Sequence, residues 1–409
     1  MTLQEKEQKF TEEISAREEI SIINLVDLLI EKAWASRSSD IHIDPELKNL
    51  RVRFRIDGVL QETYQLPLSI HQELIARIKV LARLRTDEHH MNQDGHFRYE
   101  LPEENTTLDI RVSMVPTYHG ENTVLRILSN KKEEFSLNEL GFEKEDEEKI
   151  LSALKKTAGM ILVTGPTGSG KTTTLYSLIK ILNSPEVSIV TIEDPIEYSI
   201  PNIEQIETNP AKGISFANGL RSILRQDPDI IMVGEIRDKE TANIAINTAL
   251  TGHLLLSTLH TNDSATTLPR LLDMGIEEYL VASTLTMVIG QRLVRKICPN
   301  CKNFRTLDEN EKIFISNKGY KNLLDLDQKF AFGTGCLKCN SSGYFGRIAI
   351  YEILMIDDPL REAILRRYPR EQIKQIASQN GMHSMLEDCL QKIKSGKTTI
   401  SELIRVIHE

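Results

Sequence analysis

Aromatic residues make up only 5% of this 409-residue chain, with a single tryptophan, and there are just five cysteines. No apolar run approaches the ~20 residues that a membrane-spanning helix needs. The opening stretch, "MTLQEKEQKFTEEIS", has no apolar core of the kind a secretory signal requires. Net charge is −9, so bulk attraction to nucleic acid is excluded, and sparse aromatics argue against a stacking surface for single strands. Four of the five cysteines form two Cys-x-x-Cys pairs, which is not the distribution of a disulfide framework. No internal repeat or low-complexity tract stands out. These absences leave a cytosolic protein of two or three domains with no transmembrane segment and no direct nucleic-acid partner.

What is present falls into blocks. Residues 1–18 are a charged tip. "SIINLVDLLIEKAWAS" has helical apolar spacing from Ile22 to Trp34. "SDIHIDP" and "LRVRFRIDGVLQETYQL" alternate with period two, and Asp57-Gly58 supplies a hairpin turn. A second helical stretch, "SIHQELIARIKVLARL", precedes three further alternating strands ending near residue 130. Residues 131–150 are a charged linker and helix start. From "GMILVTGP" onward short buried apolar runs alternate with helical stretches, the pattern of an α/β domain with a parallel-rich sheet. The expected divisions are a mixed α/β domain at 19–130, an α/β core at 151–295, a tetracysteine module at 296–348 and a helical region at 349–409.

"GPTGSGKT", residues 165–172, fits G-x-x-x-x-G-K-[ST] without mismatch, between a strand and a helix as the motif requires. Its glycines let backbone N–H groups wrap closely around phosphates at a helix N-terminus. Gly165, Pro166, Thr167, Gly168, Ser169, Gly170, Lys171, Thr172 and Thr173 are the expected nucleotide contacts. Lys171 would reach the β- and γ-phosphates of ATP, and Thr172 would hold Mg²⁺. Hydrolysis needs an acidic site at a neighbouring strand end. Glu235, just past "IIMV", is one candidate for Mg²⁺ and water; Glu193 and Glu197, in "TIEDPIEY", form another with Asp194. By itself a cluster of this kind is more often a solvated acidic loop. His253 and His260 bracket the strand "LLLST"; His253 fits a strand start, whereas His260 ends the strand where ligands sit in open α/β sheets.

Cys298, Cys301, Cys336 and Cys339 are two knuckles separated by 34 residues, a spacing that suits a closed tetrahedral Zn²⁺ site. Two disulfides, free thiols or a redox pair are the competing readings. Cys389 lies alone on a helical pattern and reads as a small apolar residue.

Assembled in order, "SDIHIDP", "QDGHF", "GPTGSGKTTTLY", "TIEDPIEY", "LRQDPDIIMVGEIRD", "ALTGHLLLSTLHTND", "QRLVRKICPNC" and "GYFGRIAIYEIL" make the chain closely resemble the ATPases that power type II secretion and type IV pilus assembly. The resemblance implies a RecA-like P-loop ATPase domain behind a smaller, PAS-like mixed domain, assembled as a homohexamer. It implies an inner-membrane platform protein as partner and a cytoplasmic, peripheral location at the inner face of the membrane. It also implies an aspartate-rich box at 191–198, a Walker B box ending at Glu235 and a histidine box at 252–260; His260, at the ligand end of its strand, is placed to sense the γ-phosphate by donating a hydrogen bond. Glu235 and the pair Glu193 and Glu197 then compete for the role of general base.

Arg51, Arg53 and Arg55 alternate along one strand and share a face. The resemblance favours Arg55, Arg111 and Arg126 as arginines that meet nucleotide in a ring. Two departures stand out. Family members usually carry a further N-terminal docking domain, whereas about 20 residues precede the first helix here, and His96 replaces a common arginine after "QDG". A nucleotide-gated scaffold and a DNA translocase are the competing functions. The acids and arginines argue against the first, and the lack of a basic domain argues against the second.

Overall fold

The computed structural model describes Gln8 and residues 21–101, 106–129, 136–317 and 324–408. Apart from Gln8, the charged tip expected at 1–18 lies outside the described residues, as does the start of the 131–150 linker. The chain divides into two compact units, Met1–Glu133 and Glu134–Glu409.

In the first unit, strands β1 (Ser38–Pro45), β2 (Asn49–Ile56), β3 (Val59–Pro67), β4 (Gln93–Leu101), β5 (Thr106–Thr117) and β6 (Gly120–Ser129) form one sheet in the order β3-β2-β1-β6-β5-β4. Every neighbouring pair is antiparallel. Asp57 and Gly58 both have positive φ, as the tight β2–β3 hairpin requires. Alternation along β2 sends Leu50, Val52, Phe54 and Ile56 into a core with Leu25, Leu28 and Leu29 of the helix Ile22–Ala35 and Leu74 and Ile78 of the helix His71–Ala82. Arg51, Arg53 and Arg55 therefore share the other face.

The second unit is built on a seven-stranded sheet, β15-β12-β7-β11-β10-β8-β9. Strands β7 (Gly159–Thr164), β8 (Ile189–Glu193), β10 (Ile230–Val233) and β11 (Leu254–Leu259) are buried throughout because side chains on both faces meet helices. Met160, Leu162, Val190 and Ile231 pack on one side with helices Lys239–Leu250 and Ser264–Asp273; Ile161, Val163, Met232 and Leu256 pack on the other with helix Lys171–Leu182. These strands, β9 (Glu204–Glu207) and β12 (Leu285–Ile297) run parallel, so Thr164, Glu193, Val233 and Leu259 all end at one rim. Rims of this kind are where ligands bind in open α/β sheets.

The C-terminal half departs from the expected divisions. Residues 349–355, expected in the helical region, belong instead to β15 (Tyr344–Met355), which pairs antiparallel with β12 from Met287↔Met355 to Ile297↔Tyr344. The pairing covers what would otherwise be the exposed flank of β12, and no local turn signal announces it. The tetracysteine segment and the last helices also share one core: Val294, Ile315, Phe330 and Ile348 pack with Leu390 and Ile393 of the helix Met385–Lys394 and Leu403 of the helix Ile400–His408. The two short strands β13 (Lys302–Arg305) and β14 (Phe330–Gly333) pair beside it. Cys389 is fully buried there, and burial pushes its thiol up.

A buried ion pair anchors β15. Lys392 is completely enclosed and bonds Asp388, which also accepts the Tyr351 N–H at 2.9 Å. Burial raises the Asp388 carboxyl, and Lys392 opposes it. Lys392→Met should cost the second unit about 3–5 kcal/mol in urea unfolding, since it strands a buried carboxylate. Lys392→Met combined with Asp388→Asn should recover part of that loss; additive losses in the double variant would show that the pair does not act as a unit.

Candidate active site

β7 delivers the loop 165–172 to the rim of the sheet. Gly165, Gly168 and Gly170 all have positive φ, and a Cβ at Gly165 would stand 2.3 Å from the Gln291 carbonyl oxygen. Only glycine accommodates both constraints. Helix Lys171–Leu182 starts at Gly170 with no side-chain cap, so its first N–H groups remain available to an outside acceptor. Pro166, Thr167, Gly168 and Thr172 are exposed, Thr173 is half-buried, and Ser169 is buried. Lys171 is also buried, and its ammonium donates to the carbonyls of Gly165 at 2.9 Å and Pro166 at 3.1 Å. Burial lowers its pKa and the nearby Glu235 carboxylate opposes that shift. The Ser169 hydroxyl is buried with no hydrogen-bond partner among the described residues. Free helix N–H groups, an ammonium and an orphaned hydroxyl around one loop fit a polyphosphate.

Glu235 follows β10 after Gly234. Its Oε2 lies 3.2 Å from Nε2 of His260, which follows β11, and its Oε1 accepts from Arg237. Arg237 reaches on to Asp194, beside β8, at 3.6 Å. Burial would raise the Glu235 carboxyl, but Arg237 first and His260 second outweigh it and hold the carboxyl below the ordinary glutamate value. Parallel pairing of β8, β10 and β11 is what aligns these groups on the rim. Arg237 was not singled out from the sequence; its signal was only its place two residues past the acid.

Glu193 has a different setting. It is 2% exposed and accepts from Thr191 Oγ1 at 2.6 Å, from Gln205 Nε2 at 3.1 Å and from the Tyr176 hydroxyl. Burial, reinforced by Glu193, raises the Tyr176 phenol. Glu197 lies exposed on the following loop, where its N–H donates to Tyr176 Oη at 3.3 Å. His253 stands before β11, at the opposite end from His260, with Nδ1 3.2 Å from the Thr248 carbonyl oxygen.

In the first unit the arginines form a register. His96, Arg111, Arg126, Asp40 and Arg55 are consecutive cross-strand partners on β4, β5, β6, β1 and β2. Asp40 accepts from Arg126 Nε at 2.9 Å and lies 3.6 Å from Arg55 Nε. Arg53 is bonded to Asp44 at 2.8 Å and Arg51 to Glu46 at 3.1 Å. The row through Asp40 thus carries three guanidinium groups against one carboxylate, whereas Arg51 and Arg53 are matched one to one. Charge balance, not spacing, separates the two sets.

The four knuckle sulfurs lie within 4.8 Å of one another, with Sγ–Sγ separations of 3.8 Å for Cys298–Cys336, 3.8 Å for Cys301–Cys339 and 3.7 Å for Cys336–Cys339. A disulfide would need ~2.05 Å. A tetrahedron with Zn–S bonds of ~2.3 Å has edges of ~3.8 Å, so the thiol set fits zinc.

A family model described as "Type II/IV secretion system protein" matches residues 15–405. The type II secretion system protein E of Xanthomonas campestris is 45% identical over 392 residues, 96% of this chain and 68% of that one. The type IV pilus assembly ATPase PilB of Myxococcus xanthus is 41% identical, covering 98% of this chain and 70% of its own, and the type II secretion system ATPase E of Vibrio cholerae is 43% identical, covering 97% and 77%. Among solved structures, the Legionella pneumophila ATPase DotB matches at a TM-score of 0.67 over 94% of this chain and 95% of its own; at 22% identity it speaks for the fold alone. The pilus retraction motor PilT with bound ADP matches at a TM-score of 0.58 and 26% identity, over 92% and 95%. No helix among the described residues is long and apolar enough to cross a membrane. With relatives this similar over nearly its whole length, and with a phosphate loop beside an acid–histidine pair, the chain belongs to the type II/IV secretion system protein family and is an ATPase.

Proposed function

We propose that this chain is the ATP-hydrolysing motor of a type II secretion or type IV pilus assembly machine. It works as a homohexameric ring on the cytoplasmic side of the inner membrane, against a platform protein, to assemble a pilin or pseudopilin fibre. The observation that carries the reading is the convergence of Lys171, Glu235 and His260 on neighbouring strand ends. In this scheme residues 165–173 bind ATP: Lys171 and the loop N–H groups take the β- and γ-phosphates, and His260 faces the γ-phosphate. Thr172 and Glu235 hold Mg²⁺, whose charge offsets that of the phosphates. Glu235 also orients the attacking water. Glu193, with three donors already on its carboxylate, holds the loop at 194–198 in place, which leaves Glu235 the better base. The seven-stranded sheet serves as the RecA-like core and the antiparallel unit as the PAS-like domain. Arg55, Arg111 and Arg126 present their surplus charge to nucleotide in the ring, and the four cysteines close on a structural Zn²⁺ with no open position.

Mg-ATP hydrolysis measured against protein concentration tests the ring. Specific activity should rise with concentration, and Arg111→Ala should lower its plateau by ~10³-fold, as loss of an arginine finger does. A flat profile with full activity in Arg111→Ala would sink the shared-site reading. In Arg237→Ala the acid limb of kcat/KM should move to higher pH, because burial then acts on Glu235 with less cationic opposition. An unmoved limb would remove Glu235 from turnover. Metal analysis of the purified chain should find one zinc, and a folded, metal-free protein would refute the tetracysteine assignment.

A further inference from the structure

Gln291, on β12, belongs to no motif that marks a nucleotide site, yet one end of its side chain is committed to the phosphate loop and the other to the first turn of the helix that follows it. It is 1% exposed. Its Nε2 donates to the Ser169 carbonyl at 2.7 Å, and its Oε1 accepts from Thr174 Oγ1 at 2.8 Å. Those two residues flank Gly170, Lys171, Thr172 and Thr173. A trans peptide points its C=O and the following N–H in opposite directions. A donor fixed on the Ser169 oxygen therefore holds the Gly170 N–H turned away from Gln291. The loop is also moulded around this residue: a Cβ at Gly170 would come 2.9 Å from Gln291 Nε2, and one at Gly165 would come 2.3 Å from its carbonyl oxygen. Cross-strand pairing to Tyr351, itself buried and stacked on Phe142 at 3.6 Å, keeps β12 from yielding.

We propose that Gln291 is a positioning residue for ATP binding: its amide locks the Ser169–Gly170 peptide in the orientation that offers the Gly170 N–H to a phosphate oxygen. The inference rests on the reading of residues 165–173 as the nucleotide site. Without the lock, the peptide would have to be ordered by the nucleotide itself, and that cost would fall on binding.

The test measures Mg-ATP affinity and turnover of the full chain. Gln291→Met keeps the shape and removes both hydrogen bonds; affinity should fall about tenfold, with most of the loss in KM rather than in kcat. Gln291→Glu supplies a signature that mere packing would not. Only its protonated carboxyl has a hydrogen to give the Ser169 carbonyl, so its affinity relative to wild type should recover as pH falls. If Gln291→Met does not fold, as judged by circular dichroism, Thr174→Val frees one end of the amide and should weaken binding about threefold. Wild-type affinity in the folded variants, or a pH profile of Gln291→Glu parallel to wild type, would overturn the proposal. Failure of the wild-type chain to bind Mg-ATP would instead overturn the nucleotide site itself, and this inference with it.

Discussion

Backbone N–H groups can face a polyphosphate only if the carbonyls of the same loop are satisfied elsewhere, because each peptide points the two in opposite directions. Much of the second unit's rim answers to that constraint. The Gly165 and Pro166 carbonyls take the Lys171 ammonium, and the Ser169 carbonyl takes the Gln291 amide. Gln291 can reach it only because β12 pairs directly with β7, and β12 is held on its other flank by β15. Glycine at 165 and 170 follows from the same closeness, since neither position has room for a Cβ. The loop's familiar sequence is thus half of the device, and a strand more than a hundred residues later is the other half.

The two carboxylates at the rim illustrate how environment divides similar groups. Glu193 is enclosed by hydroxyls and an amide, with no cation among its hydrogen-bond donors in the described residues. Glu235 sits between a guanidinium and an imidazole and feels Lys171 nearby. A group stabilised by neutral donors in a closed pocket serves as an anchor. One poised between an exposed guanidinium and an exposed imidazole at the rim can exchange those partners for others, which is what a metal and water site demands.

Much of this was legible in the sequence where the governing interactions are local. Alternation along 50–56 placed Arg51, Arg53 and Arg55 on one face, and the Asp57-Gly58 turn followed from its two residues. Short apolar runs ending in polar residues located β7, β8, β10 and β11. What stayed hidden depends on register between distant segments. The row from His96 to Arg55 exists only because five strands align, and a shift of one residue in any of them would break it. Likewise "TMVIG" and "IAIYEIL" are far apart in the chain and no single hairpin joins them, so nothing local revealed β12 and β15 as partners. Gln291 opens the stretch "QRLVRKICPNC", but nothing local there points to a loop more than a hundred residues earlier.

The same strand that contacts the phosphate loop also leads to the cysteines. Cys298 lies seven positions after Gln291, about 23 Å of extended chain. Along that length Arg295 donates to Glu402 at 2.9 Å, the Ile297 N–H bonds the Lys397 carbonyl at 3.0 Å, and the Cys298 N–H bonds the Gly343 carbonyl at 2.9 Å. The strand is therefore pinned by β7 and β15 near the loop, and by the last helix and the knuckle at its far end. A close-packed interior resists gradual deformation, so a displacement of Gln291 cannot be absorbed locally without breaking ladder bonds on one flank. The tetracysteine knuckle closes the chain just where β12 leaves the sheet, and it fixes the end of the strand on which the loop's geometry relies.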